Sequence, residues 1–135
     1  MQTKAKVPGR ILVVDDERSA LQLLDRVLSG AGHQVVLAET GELGLQRLAK
    51  ERFDLLIVDK NLPGIDGLEV LRLARTQHPG LQAIMITGFP TPETKQTGRE
   101  LGLYAYVVKP FGILEIVTAC DAAIASGRET VPAQS

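Results

Sequence analysis

Ile11-Leu12-Val13-Val14-Asp15-Asp16 is a short apolar run that stops on two acids, and the chain repeats this device three more times. Leu55-Leu56-Ile57-Val58 runs into Asp59, Ala83-Ile84-Met85-Ile86 into Thr87, and Val107-Val108 into Lys109-Pro110. Apolar runs of this length, alternating with segments of helical periodicity, read as parallel strands. In an open parallel sheet, ligands collect at the carboxyl ends of the strands. The sequence therefore gathers three carboxylates, a hydroxyl and an ammonium at one sheet edge.

Between the runs the pattern is strand then helix, five times. Strands are predicted over 10–14, 34–38, 53–59, 81–87 and 104–108. The first helix carries Ala20, Leu24, Val27, Leu28 and Ala31, and Gly30 and Gly32 end it. Thr40 is placed to cap a second helix bearing Leu45, Leu48 and Ala49. A third runs from about Gly67 to Gln77, stopped by His78-Pro79-Gly80. The fourth, after Pro90 and Pro92, contains Gly98 and almost no apolar stripe, so a short or mobile helix is predicted. The last carries Ile113, Ile116, Val117, Cys120, Ala123 and Ile124, with Gly112 at its N-cap and Glu115 three residues on. Parallel strands joined by right-handed crossovers give a doubly wound α/β sheet, and the flavodoxin-like order 2-1-3-4-5 brings the ends of strands one and three together. Asp15, Asp16 and Asp59 then share one pocket, with Thr87 and Lys109 next along the edge.

The composition bounds the rest. A chain of 135 residues, 44% hydrophobic and 23% charged, is one domain's worth of sequence with a proper core. Residues 1–9 read as a tail, 10–126 as the domain, and 127–135 as a tail or truncated linker. A formal net charge of -1 gives no general attraction to nucleic acid or anionic membrane, so direct nucleic-acid binding is not expected. No run approaches transmembrane length and the first residues lack a signal peptide's apolar core, which predicts a cytoplasmic protein. Cys120 falls on a helical stripe and reads as a small buried hydrophobe, while His33 and His78, each beside a turn, read as surface residues.

Three carboxylates in one pocket cannot all stay ionised without a counter-charge. A hard divalent cation such as Mg2+ meets that need through oxygen ligands. A carboxylate left with a free oxygen can attack phosphorus, and a cation and a lysine can neutralise the transferring group. The residue set suits capture of a phosphoryl group better than hydrolysis, since no histidine base falls in the pocket.

Taken in order, Val13-Val-Asp-Asp-Glu17, Asp54-Leu-Leu-Ile-Val-Asp59, Leu62-Pro-Gly-Ile-Asp-Gly67, Ile86-Thr87-Gly88 and Tyr106-Val-Val-Lys-Pro-Phe111 resemble the motifs of bacterial two-component response regulator receiver domains, similar to single-domain chemotaxis regulators. The resemblance spans roughly Arg10 to Ser126. It implies Asp59 as phosphoacceptor, with Asp16 and Asp59 as direct Mg2+ ligands, Asp15 acting through a metal-bound water, and the backbone carbonyl of Asn61 as a third protein ligand. Lys109 would pair with the phosphoryl oxygens, Thr87 would swing to bond them, and Tyr106 would follow Thr87. Lys109-Pro110 would be cis. The implied partners are a sensor histidine kinase or histidine phosphotransfer protein and a downstream protein. The switching face, formed by the fourth helix, fifth strand and fifth helix, is also the implied place for docking or homodimerisation. The implied activity is self-catalysed phosphorylation and dephosphorylation rather than conventional enzymatic turnover. Lys60, next to the acceptor, reads as a solvated side chain, and Asn61 and Phe89 lie where the family tunes water's access to the phosphoryl bond. Two rivals are a same-fold binding module without phosphorylation and an aspartyl-phosphate phosphatase; the latter favours an Asp-x-Asp pattern that Asp15-Asp16-Glu17 lacks.

Overall fold

A computed structural model describes residues 7–129. The strands are β1 (Arg10–Val14), β2 (Gln34–Ala38), β3 (Leu55–Asp59), β4 (Gln82–Thr87) and β5 (Ala105–Val108). They alternate with helices α1 (Arg18–Gly30), α2 (Gly41–Lys50), α3 (Gly67–Gln77), α4 (Pro92–Glu100) and α5 (Ile113–Glu129). All strand pairs are parallel, in the order β2-β1-β3-β4-β5. The flavodoxin-like arrangement is therefore present. Its register sets Val14 beside Val58, Asp59 beside Ile86 and Thr87 beside Val108.

The apolar runs are unbroken because both faces of the sheet are covered. Side chains alternate between faces along a strand. Ile11, Val13, Leu55, Ile57, Ile84, Ile86 and Val107 pack against α1 and α5. Leu12, Val14, Leu56, Val58, Ala83 and Met85 pack on the other face, with Leu48 of α2 and Val70, Leu71 and Ala74 of α3. Full burial of each such aliphatic side chain contributes about 1.5–3 kcal/mol. Asp15, Asp59 and Lys109 continue the parity of the α1/α5 face; Thr87 and Tyr106 have that of the opposite face.

Thr40 caps α2 by accepting from Leu43 N–H at 3.0 Å, as its sequence position predicts. The fourth helix is the shortest of the five, as expected, but its start is firmly built. It has nine residues and begins with a reciprocal capping box between Thr91 and Thr94, with Pro92 in its first turn. Those local bonds and the preset proline backbone offset the missing apolar stripe. Gly98 is its one buried residue. A Cβ there would lie 3.0 Å from side-chain atoms of Leu103 and Tyr106, so glycine lets Tyr106 sit close against α4 without those side chains shifting.

Both expected tail boundaries shift. Val7 packs on the α1/α5 core, and α5 runs through Gly127 and Arg128 to Glu129, with Arg128 Nη2 donating to Pro8 O at 2.8 Å. Residues 1–6 and 130–135 of the two expected tails lie outside the described residues. His33 is not a surface residue. It is buried, its Nδ1 accepting from Gly9 N–H at 3.0 Å and its Nε2 lying 3.4 Å from Asp121 Oδ1 on α5. The turn after α1 folds the ring inward under the start of β2, a placement no local pattern encodes. His78 is half-buried, with Nε2 2.7 Å from Leu48 O. Cys120 is buried, as its helical stripe implies, and burial, helped by the Asp121 charge, pushes its thiol up to about 12.

Candidate functional site

Three strand ends close the same way. Asp15 Oδ1 accepts from Glu17 N–H at 2.9 Å, Asp59 Oδ1 from Asn61 N–H at 3.0 Å, and Thr87 Oγ1 from Phe89 N–H at 3.0 Å. Each side chain thus bonds the backbone two residues on, a local turn that Asp and Thr form readily. These turns end the strands and orient the side chains. The ladder also continues past them, through Asp15 N to Ala38 O, Lys60 N to Ile86 O and Lys109 N to Thr87 O.

The second oxygens of both aspartates face one cation. Lys109 Nζ donates to Asp59 Oδ2 at 3.0 Å, to Asp15 Oδ2 at 3.3 Å and to Glu17 Oε1 at 2.8 Å. Asp15, Asp59 and Thr87 are buried. Lys109 reaches them from the end of β5, where the Lys109-Pro110 peptide is cis, as anticipated. Gly67 of α3 closes the floor of the loop after Asp59. A Cβ there would lie 2.3 Å from Asp59 O, and Gly67 N–H donates to Lys60 O at 2.9 Å.

The electrostatics follow from crowding. Burial, reinforced by the Asp59 charge, raises Asp15 from 3.8 to about 6 against the opposing pull of the Glu17 amide and Lys109. Burial alone would push the Lys109 ammonium down, but the hydrogen bonds it donates to Glu17 and Asp59 and the charges of Asp15 and Asp59 override it and hold Lys109 above its ordinary value. The pocket carries more negative charge than one lysine neutralises.

Of the residues expected to form one site, Asp15, Asp59 and Lys109 are directly bonded. Asp16 is exposed, and the third carboxylate beside Asp15 and Asp59 is Glu17, with oxygens of all three within 4.8 Å of one another. The Asp15-x-Glu17 alternation past the end of β1 was the available signal. Asn61 contributes its amide to Asp59. Tyr106 is turned toward α4, its hydroxyl donating to Thr94 O. Lys60 is half-buried rather than solvated, with Nζ 3.9 Å from the α3-capping Asp66. Phe89 is 80% exposed at the rim.

Residues 11–121 match the family model of the response regulator receiver domain. The chain belongs to that family. It is 35% identical over 126 residues to the response regulator MprA of Mycolicibacterium vanbaalenii, covering 93% of this chain and 53% of that protein. It is equally identical over 107 residues to sporulation initiation phosphotransferase F of Bacillus subtilis, covering 79% of this chain and 86% of that protein. A CheY-like receiver domain protein of Methanospirillum hungatei superposes with a TM-score of 0.88 at 29% identity, covering 91% and 98% of the two chains. This receiver spans about half of MprA and about a quarter of the Escherichia coli regulator NtrC. Among the described residues, no helix is long and apolar enough to cross a membrane.

Proposed function

We propose that this receiver accepts a phosphoryl group on Asp59 from a phosphohistidine of a sensor histidine kinase or histidine phosphotransfer protein, in a Mg2+-dependent reaction. The observation that carries the reading is the sharing of Lys109 between the buried carboxylates of Asp59 and Asp15. One Asp59 oxygen forms the new bond to phosphorus while the donor leaves with the electron pair of the old one. Lys109 then turns from carboxylate to phosphoryl oxygens, a charge-assisted contact of the same kind. Thr87 Oγ1 accepts from Phe89 N–H and keeps its own proton, which it donates to a phosphoryl oxygen.

The donor set fits a hard cation. Asp15, Glu17 and Asp59 offer an over-charged, all-oxygen set gathered within 4.8 Å, with Asp16 exposed beside it. Asp15, Asp16, Asp59 and the carbonyl of Asn61 would hold Mg2+, with Glu17 in reach. Bound there, the ion neutralises carboxylate and phosphoryl charge in the transition state.

A pull on Thr87 and Lys109 moves the ends of β4 and β5, between which α4 hangs. Tyr106, seated on Gly98 and bonded to Thr94, joins β5 to α4, so its release changes the face of α4, β5 and α5. That face carries exposed Tyr104 and Val108 and suits a downstream partner or a second copy of the chain. The reaction is self-catalysed and stoichiometric rather than turnover of a substrate pool, and a cytoplasmic location belongs to the same reading. The test is intact-protein mass after incubation with acetyl phosphate and Mg2+, beside Asp59→Ala. One phosphoryl group gained, dependent on Mg2+ and absent in the variant, is the expected result. No gain where a working receiver is labelled would favour a phosphorylation-independent binding module.

A further inference from the structure

Glu17 occupies the N-cap of α1, yet its side chain makes no cap bond. An acid there ordinarily turns to the free amides of the first helical turn. Instead its carboxylate crosses the mouth of the site to Lys109 Nζ at 2.8 Å, the shortest of that ammonium's three contacts. Its side chain is 59% exposed, whereas those of Asp15 and Asp59 are 1% and 7% exposed. An exposed ion pair of this kind contributes little to stability. Its position matters more. The cation that must receive phosphoryl charge is held from the solvent side by a negative charge that any incoming donor meets first.

Resting on the phosphoacceptor reading, we propose that Glu17 sets the donor specificity of this site: its carboxylate, clasping Lys109 at the mouth, disfavours small dianionic phosphodonors and favours donors that carry a cationic group beside the phosphoryl group. A phosphohistidine on a protein surface with a neighbouring lysine or arginine meets that description. The cation pairs with Glu17, Lys109 is released to the phosphoryl oxygens, and the repulsion at the entrance is cancelled.

Two small donors separate the charge effect from general reactivity. Acetyl phosphate is a dianion at neutral pH. As the Asp59–phosphorus bond forms, its P–O bond breaks and the electron pair leaves with acetate. Phosphoramidate carries less negative charge and a protonated nitrogen, and its P–N bond breaks with the pair and the protons leaving as ammonia. Initial labelling rates of the full chain with Mg2+ are read by intact mass for wild type, Glu17→Gln and Glu17→Asp. Glu17→Gln keeps the shape and removes the charge. It is expected to accelerate labelling by acetyl phosphate about fivefold and by phosphoramidate less than about twofold, the difference shrinking as salt screens the mouth over roughly 10 Å. Glu17→Asp keeps the charge and is expected to keep the wild-type donor ratio.

An equal change with both donors, slower labelling by acetyl phosphate in Glu17→Gln, or a Glu17→Asp ratio that follows Glu17→Gln would overturn the proposal. Labelling of every form with an unaltered donor ratio removes the Glu17 role alone. Labelling of none by either donor removes the phosphoacceptor reading and the Glu17 role with it.

Discussion

Neutralising Asp15 should make the metal-free protein more stable, and only above the pH at which Asp15 ionises. Asp15 is buried against Asp59, and its carboxyl is raised from 3.8 to about 6, burial being the larger cause. A raised folded-state value means the folded chain binds the proton more tightly than the unfolded chain. Below about pH 3.8 both states are protonated and the carboxyl imposes no penalty. Between 3.8 and about 6 stability falls as pH rises, and above that the full penalty applies. At about 1.4 kcal/mol per unit, the penalty is about 3 kcal/mol. Asp15→Asn removes it but also removes a Lys109 contact at 3.3 Å, which leaves a net gain of about 2 kcal/mol near pH 8. In a domain of this size that raises Tm by about 7 °C. Urea unfolding in chelator near pH 8 and near pH 3.5 measures both limits, with the gain expected at the first and about zero at the second. Millimolar Mg2+ should narrow the gap near pH 8, because it stabilises the folded wild type by mass action and the variant less. An equal gain at both pH values, or a loss near pH 8, would refute the premise that crowded burial of charge dominates at Asp15.

Gly67→Ala should cost about 3 kcal/mol in urea unfolding, because its Cβ would sit 2.3 Å from Asp59 O and the loop after Asp59 must move; a change under about 0.5 kcal/mol would contradict this packing. Arg75→Met should cost about 2 kcal/mol and speed amide exchange over residues 100–104 while β1 to β3 stay protected. Arg75 donates from Nε to Leu101 O at 2.9 Å, from Nη2 to Gly102 O at 2.8 Å, and from Nη1 to Leu81 O, which ties the end of α4 to α3 and the start of β4. Cys120, its thiol held at about 12 by burial, should resist thiol reagents near pH 8 until the chain unfolds; rapid native-state modification would show that α5 opens locally.

Most of the architecture was legible in the chain itself. Ile11–Val14, Leu55–Val58 and Ala83–Ile86 are long enough and apolar enough to be nothing but strands covered on both faces, and the alternation with helical stripes forces parallel pairing. The polar residue ending each run then falls on one sheet edge whatever the finer packing, which is why Asp15, Asp59, Thr87 and Lys109 could be named in advance. Thr91 and Thr94 stand three residues apart in the sequence, but their reciprocal bonds appear only in the folded turn. Other features depend on neighbours distant along the chain. Burial of His33 comes from α5 lying across the turn before β2. The contact of Glu17 with Lys109 joins residues 92 apart. The tight fit at Gly98 arises from the side chains of Leu103 and Tyr106. Periodicity specifies which face of an element is apolar and where the element stops. Which polar groups meet at an edge, and what charge each then bears, depends on distances of a few ångströms between separate elements, and only the packed tertiary structure decides those.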